Sequence, residues 1–399
     1  MVALTIEFEK NKNKNLNKNS DDLKFDLKKV ENFHKSMWGY YHKTPLIELK
    51  ELAKYLGVKN ILVKDESKRF GLKSFKALGS SYAIASYLAK KEGKSIEDIC
   101  FDDIARDSVS GKKRNIVFCT ASDGNHGLGV AWMSRLIGAK CVVYVPNTVS
   151  ENRINNIIKQ EAEVKVIDSN YDLTVEKIKV DAKKNNWVLI QDTALDGYEL
   201  MPQLVMEGYS TVFSEIISDL TVEPTHIFLQ TGVGSMAASM MSNFIYNAKT
   251  KPKFISVEPN KADCLYQSIQ NGKMVQINGK MDTIMGGLAC GKVNYLVWDF
   301  FKNNLDYAIS CKEGVAALGM RALGNPLGAD EKIVAGESGA LPAGVLVMLK
   351  KYYNVKSELK LDKDSVILLI NTEGDTDENS YRDIVWGGEY PIKYRSNTL

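Results

Sequence analysis

Histidine is scarce in this sequence, with four in 399 residues. That is thin material for a metal-dependent hydrolase. The six cysteines include no CxxC pair, so the usual zinc-binding spacing is missing. No apolar run approaches the ~20 residues that a membrane-spanning helix needs. The N-terminus has no secretory apolar region, because Asn and Lys take over by Lys10. Excess charge is missing too: 52 Lys+Arg stand against 49 Asp+Glu, a net +3, which gives no footprint for nucleic acid. These absences leave a chain expected in a cytoplasm, with reduced thiols and neither membrane nor nucleic acid as partner.

What is present is an ordinary globular composition, long enough for a large core and two lobes. Glu9 to Ser20 is rich in Lys and Asn and reads as a mobile polar tail. The expected division is a tail over 1–22, a large lobe over 23–84 and 205–399, and a small α/β lobe over 85–204. Short Val/Ile-rich runs mark strands at Ile61–Lys64, Asn115–Cys119, Cys141–Val145, Val164–Ile167, Trp187–Gln191, His226–Gln230, Phe254–Val257 and Val366–Ile370. Helical patterns separate them, among them Phe75–Lys91, His126–Ile137 and Met236–Asn247. Such alternation predicts an α/β fold with mostly parallel sheets flanked by helices. In sheets of that kind ligands bind beyond the carboxyl ends of the strands.

Four segments follow strands, the first of them across the loop Asp65–Leu72. Lys76, in Ser74-Phe75-Lys76-Ala77, opens a long helix behind a candidate Ser74 cap. The positive end of that helix would disfavour the ammonium form and suit a Schiff-base lysine, although a solvated lysine is the commoner case. Thr120-Ala121-Ser122-Asp123-Gly124-Asn125-His126 could hold a carboxylate on backbone N–H groups, or be a plain strand-to-helix turn. Asp123 is unexpected in an anion site. Gly232-Val233-Gly234-Ser235-Met236 could cradle a phosphate, but matches neither a P-loop nor a dinucleotide fingerprint. Thr372, in Asn371-Thr372-Glu373-Gly374, places a hydroxyl at the last strand end.

In this order, with His42-Lys43-Thr44-Pro45-Leu46, Gly286-Gly287-Leu288-Ala289 and Glu337-Ser338-Gly339-Ala340, the segments resemble the fold-type-II pyridoxal-phosphate enzymes from about Tyr41 to Asp377. The resemblance implies two doubly wound lobes, a homodimer, and pyridoxal 5'-phosphate as cofactor. It implies that Lys76 carries the cofactor, Asn125 bonds its phenolic oxygen, Gly232 to Met236 cradle its phosphate and Thr372 meets its ring nitrogen. Thr120, Ser122, Asp123, Gly124 and His126 would hold the substrate.

Three departures narrow the choice. Leu78 stands where the dehydratases of this family carry Arg, Asp123 precedes Gly124, and Gln191-Asp192-Thr193-Ala194 supplies another acid. This set resembles the diaminopropionate ammonia-lyases, with Leu195 in place of their usual Trp. The implied substrate is a small amino acid, 2,3-diaminopropionate, in both D and L forms. Asp123 or Asp192 would bind its β-ammonium, and the two acids should separate in pKa. Asp123 is the candidate second base, Lys76 and Asp192 completing the catalytic set. Dehydratases, β-replacement synthases and a catalytically dead binding relative remain as alternatives. Cys264 and Cys290 could approach one another, with two free thiols the favoured state.

Overall fold

The computed structural model describes residues 5–15, 23–109, 111 and 114–392. In chain order its strands are β1 (Ile6–Lys10), β2 (Leu46–Glu48), β3 (Asn60–Asp65), β4 (Val117–Ala121), β5 (Lys140–Pro146), β6 (Glu163–Ile167), β7 (Val188–Leu189), β8 (His226–Gln230), β9 (Lys253–Pro259), β10 (Tyr307–Cys311) and β11 (Val366–Asn371). They form a seven-stranded sheet, β1-β10-β9-β8-β11-β3-β2, and a four-stranded one, β6-β5-β4-β7. Among the described strands, the outer pairs β1/β10 and β2/β3 are the antiparallel ones. Every other pairing is parallel, as expected from the alternation of elements.

Burial explains which runs became strands. β8, β10 and β11 are buried at every residue, which requires apolar side chains on both faces. Each such Val, Leu, Ile or Phe contributes roughly 1.5–3 kcal/mol relative to exposure. The Glu337–Leu349 helix is apolar nearly all round and correspondingly buried, lying against β8, β9 and β11. It packs so closely on the Glu313–Gly324 helix that a Cβ on Gly344 would fall 1.9 Å from the Val315 carbonyl oxygen. The edge strands β1, β2 and β6 are not buried on both faces, and β6 is the most exposed of them.

Three expectations need correction. The segment read as a polar tail contains β1, whose five residues pair with β10 from Ile6↔Cys311 to Lys10↔Tyr307. Asn11 extends the attachment by donating to the carbonyls of Lys302 and Leu305, both at 2.9 Å. Sheet pairing outweighs the composition there; residues 16–22 of the tail lie outside the described residues. The Asn115–Cys119 strand is shifted two residues on, because pairing with β5 runs to Ala121↔Tyr144. The Trp187–Gln191 strand shrinks to two residues, because the Gln191 side chain takes over the ladder. Its Oε1 accepts from the Ala121 N–H and its Nε2 donates to the Ala121 carbonyl. Residues 84/85 and 204/205 lie within the Lys76–Lys91 and Leu200–Gly208 helices. One apolar cluster containing Leu62, Phe118, Val143 and Leu368 runs across both sheets.

Candidate active site

Parallel strands deliver their carboxyl ends to one edge, and β3, β4, β8 and β11 all end at the same cleft. Its walls include Lys76, Asp123, Asn125, Tyr171, Asp192, Gln230, the 232–236 turn, Ser338, Thr372 and Glu373. The space between the walls, open mouth included, is about 630 Å3.

The loop before Lys76 is fastened to the loop after β11. The Phe75 N–H donates to the Thr372 carbonyl at 3.2 Å, and the Gly374 N–H donates to the Lys73 carbonyl at 2.8 Å. Lys73 adopts φ 58° to make this turn. Ser74 is not the cap residue: Phe75 holds that place, and the Ser74 hydroxyl only reaches the Lys76 N–H at 3.4 Å. The cross-loop bonds fix the entry to the helix instead.

Lys76 Nζ donates to Asp192 Oδ2 at 2.5 Å. Burial pulls the ammonium's pKa down, but the carboxylate of Asp192, with Tyr209 and Asp123 adding, outweighs it and the net shift is upward. The lowering expected from the helix terminus is thus overridden by a direct ion pair. Asp192 shows the mirror image: burial raises its pKa, yet Lys76, His126 and the Tyr171 hydrogen bond hold it below the carboxylate range. Gln191 Nε2 donates to the Tyr171 hydroxyl at 2.8 Å, and that hydroxyl donates to Asp192 Oδ1 at 3.2 Å. Asp123 is pushed up to about 6, mainly by burial and against the pull of Lys76 and Arg153. The two acids therefore separate in pKa as expected.

Asn125 donates through Nδ2 to Glu373 Oε2, and the Ser338 N–H donates to Glu373 Oε1 at 3.1 Å. Thr120, in β4, and Ser122, just after it, are buried but are not cleft walls. The Thr120 hydroxyl donates to Gln191 Oε1 at 2.9 Å. Ser122 Oγ accepts from the N–H groups of Gly124 and Gly127, at 2.9 and 2.7 Å. Both side chains shape the turn that presents Asp123. Gly124 holds φ 136° there. His126 stands behind the cleft, its Nε2 2.8 Å from the Ile190 carbonyl, which fixes that nitrogen as the donor.

Tyr171, Gln230, Glu373 and Ser338 are cleft residues to which sequence reasoning gave no role. Gln230 and Glu373 were detectable as polar residues at the carboxyl end of buried apolar strands. Tyr171 begins a helix and carries no comparable signal.

The Gly232 to Met236 turn leads into the Ser235–Asn247 helix, whose first-turn N–H groups have no intrahelical partner. The Ser235 hydroxyl donates away from the cleft, to the Asp192 carbonyl at 2.7 Å. Backbone N–H groups are thus what the turn offers an anion. Gly234 holds φ 98°, and a Cβ there would fall 2.6 Å from the Phe301 ring. A Cβ on Gly232 would fall 3.2 Å from the Gly287 carbonyl oxygen. A phosphate cradle at a helix start, an enclosed lysine and a buried hydroxyl at Thr372 fit pyridoxal phosphate. Gly234→Asp is expected to raise the cofactor's Kd at least ~10-fold, or ~1.4 kcal/mol, through backbone strain and charge in the cradle. Equilibrium dialysis against the cofactor measures it.

Cys264 opens a buried helix and Cys290 lines the cleft, and both are free thiols. That is the favoured one of the two expected states.

Comparison with known proteins agrees with this geometry. Residues 37–373 match the family described as pyridoxal-phosphate dependent enzyme. The chain is 42% identical to the diaminopropionate ammonia-lyase of Escherichia coli (strain K12) over 398 residues, 98% of both chains. It is 42% identical to that of Salmonella typhimurium over 89% of this chain and 91% of the relative. The E. coli enzyme in complex with an aminoacrylate-PLP azomethine reaction intermediate superposes with a TM-score of 0.90 at 41% identity, covering 98% of this chain and 99% of that one. This chain therefore belongs to the pyridoxal-phosphate-dependent enzyme family, in the branch of the diaminopropionate ammonia-lyases, and pyridoxal phosphate is its cofactor.

Proposed function

We propose that this chain catalyses α,β-elimination of D- and L-2,3-diaminopropionate to pyruvate and two ammonia, as a carbon–nitrogen lyase. The observation that carries the reading is the pair of acids, Asp123 and Asp192, sharing one cleft with Lys76. A β-ammonium substrate calls for carboxylates, whereas a β-hydroxyl substrate does not.

When bound, pyridoxal phosphate supplies an electron sink for the charge left at the α-carbon. Lys76 would anchor it, the Gly232 to Met236 turn would hold its phosphate, and Asn125 and Thr372 would bond its phenolic oxygen and ring nitrogen. Once the substrate amine has taken its place, Lys76 would stand beside Asp192 as a free neutral amine, able to accept a proton. Lys76 removes the α-proton of the L isomer and Asp123 that of the D isomer. Asp192, held ionised, keeps the β-amine protonated as a leaving group. Ammonia departs from the β-carbon, and the released enamine hydrolyses to pyruvate and a second ammonia. The loop backbone from Asp123 to Asn125, ordered by Thr120, Ser122 and His126, receives the substrate carboxylate.

The family resemblance supports a homodimer, and free buried thiols support a cytoplasmic setting. Residues 85–204, which hold the whole smaller sheet, form the small lobe on this reading. A substrate panel tests the activity. Pyruvate or ketobutyrate release from both diaminopropionate isomers is compared with that from D-serine, L-serine and L-threonine. A higher kcat/KM on diaminopropionate supports elimination of ammonia; a preference for L-serine or L-threonine makes the chain a dehydratase.

A further inference from the structure

We infer that Gln230 is a positioning residue that makes the Thr372 hydroxyl a hydrogen-bond donor toward the cofactor's ring nitrogen and so keeps that nitrogen unprotonated. The inference rests on the placement of Thr372 at the ring nitrogen in the proposed function, and adds a residue to which that placement gives no part.

Gln230 closes β8 and Thr372 follows β11, the neighbouring strand; both are buried. Gln230 Nε2 lies 2.8 Å from the Ile370 carbonyl oxygen and 2.8 Å from Thr372 Oγ1. A backbone carbonyl can only accept. The amide must therefore turn its NH2 toward Ile370, and a flipped amide would set oxygen against oxygen. The orientation is thus dictated by the backbone, and Thr372 receives the second amide hydrogen as a consequence. Gln230 Oε1 is left without a partner, a buried loss that the flipped amide would enlarge.

A threonine hydroxyl has one hydrogen and two lone pairs. With one lone pair taken by Gln230, its hydrogen is free to point into the cleft, where Thr372 forms part of the wall. An unprotonated ring nitrogen accepts that hydrogen. A protonated one would compete for the remaining lone pair and leave the hydroxyl hydrogen to find another acceptor, and no hydrogen bond donated by this hydroxyl is present among the described residues. The nearest acid in sequence, Glu373, is engaged through both oxygens by Asn125 and the Ser338 N–H. The ring nitrogen would thus face a hydroxyl whose polarity is set by the Gln230 amide.

The test is nitrogen NMR of the substrate-free holoenzyme loaded with cofactor carrying 15N in its ring. The wild-type signal is expected to stay in the unprotonated range between about pH 6 and 9. Gln230→Leu removes the amide donor, and Gln230→Glu, of the same size, offers the hydroxyl an acceptor instead. Both should move the signal toward the protonated range, raising the protonation midpoint by ~1 pH unit or more, a ~10-fold change in the equilibrium. Thr372→Val serves as the reference, since it removes the hydroxyl itself. If Thr372→Val shifts the signal while both Gln230 variants leave it at the wild-type position, the inference falls and the placement of Thr372 stands. If Thr372→Val also leaves the signal unmoved, the placement falls and takes the inference with it.

Discussion

Lys76→Ala is expected to abolish turnover, by ~10⁴-fold or more, because one substitution removes both the covalent anchor and a positioned acid–base group. The near-visible absorbance of protein-bound cofactor should vanish with it. The fold should survive. Alanine is a better helix former than lysine at the start of the Lys76–Lys91 helix, and the apolar residues of that helix pack independently of the ammonium. Asp192 would lose its partner at 2.5 Å, but it can take up a proton as burial then dictates. A cooperative thermal melt with no absorbance band is the expected pair of results. A variant that keeps a borohydride-reducible band would show that another lysine carries the cofactor.

Asp123→Asn should separate the isomers. Asparagine keeps the size and hydrogen-bonding capacity but cannot accept a proton, so D-diaminopropionate should lose ~10²–10⁴-fold in rate. The L isomer should lose less, since Lys76 remains as its base. Asp192→Asn should impair both, as that carboxylate serves the shared amino group. The plainer alternative, that Asp123 merely caps the following helix, finds no support in the structure. That cap position is Gly124, with no side-chain cap bond, and Ser122 already accepts from the Gly124 and Gly127 N–H groups. Equal losses on both isomers would refute the two-base assignment while sparing the cofactor assignment.

A pH dependence follows from the same residue. Asp123 works as a base only when ionised, and its pKa is pushed up to about 6. Turnover of the D isomer should therefore fall as pH drops through about 6 and level off above it. The L-isomer profile should lack that limb. Parallel kcat/KM profiles of the two isomers measure it.

Much of this was legible in the sequence because buried parallel strands are so constrained. His226–Gln230 is the expected strand residue for residue, and the turn after it holds the expected glycines. Lys76, Asp123, Asn125, Asp192 and Thr372 do meet in one cleft, since each follows a strand of a parallel sheet. What escaped depends on distant partners. β1 hides in a Lys/Asn-rich stretch because its strand character comes from pairing with β10. The Gln191 amide imitates a strand, which no local pattern reveals. The pKa of Lys76 is shifted upward, against the pull of its helix end, because Asp192 pairs with it directly, and no local pattern reveals a pairing across 116 residues.

The assignment of the cleft rests above all on Lys76, and chemical trapping addresses it most directly. The substrate-free holoenzyme is reduced with borohydride, digested, and its pyridoxyl-bearing peptide identified by mass spectrometry. The account predicts a single labelled peptide containing Ser74-Phe75-Lys76, with the label on Lys76. A label on any other lysine, or none at all on cofactor-replete protein, would contradict it.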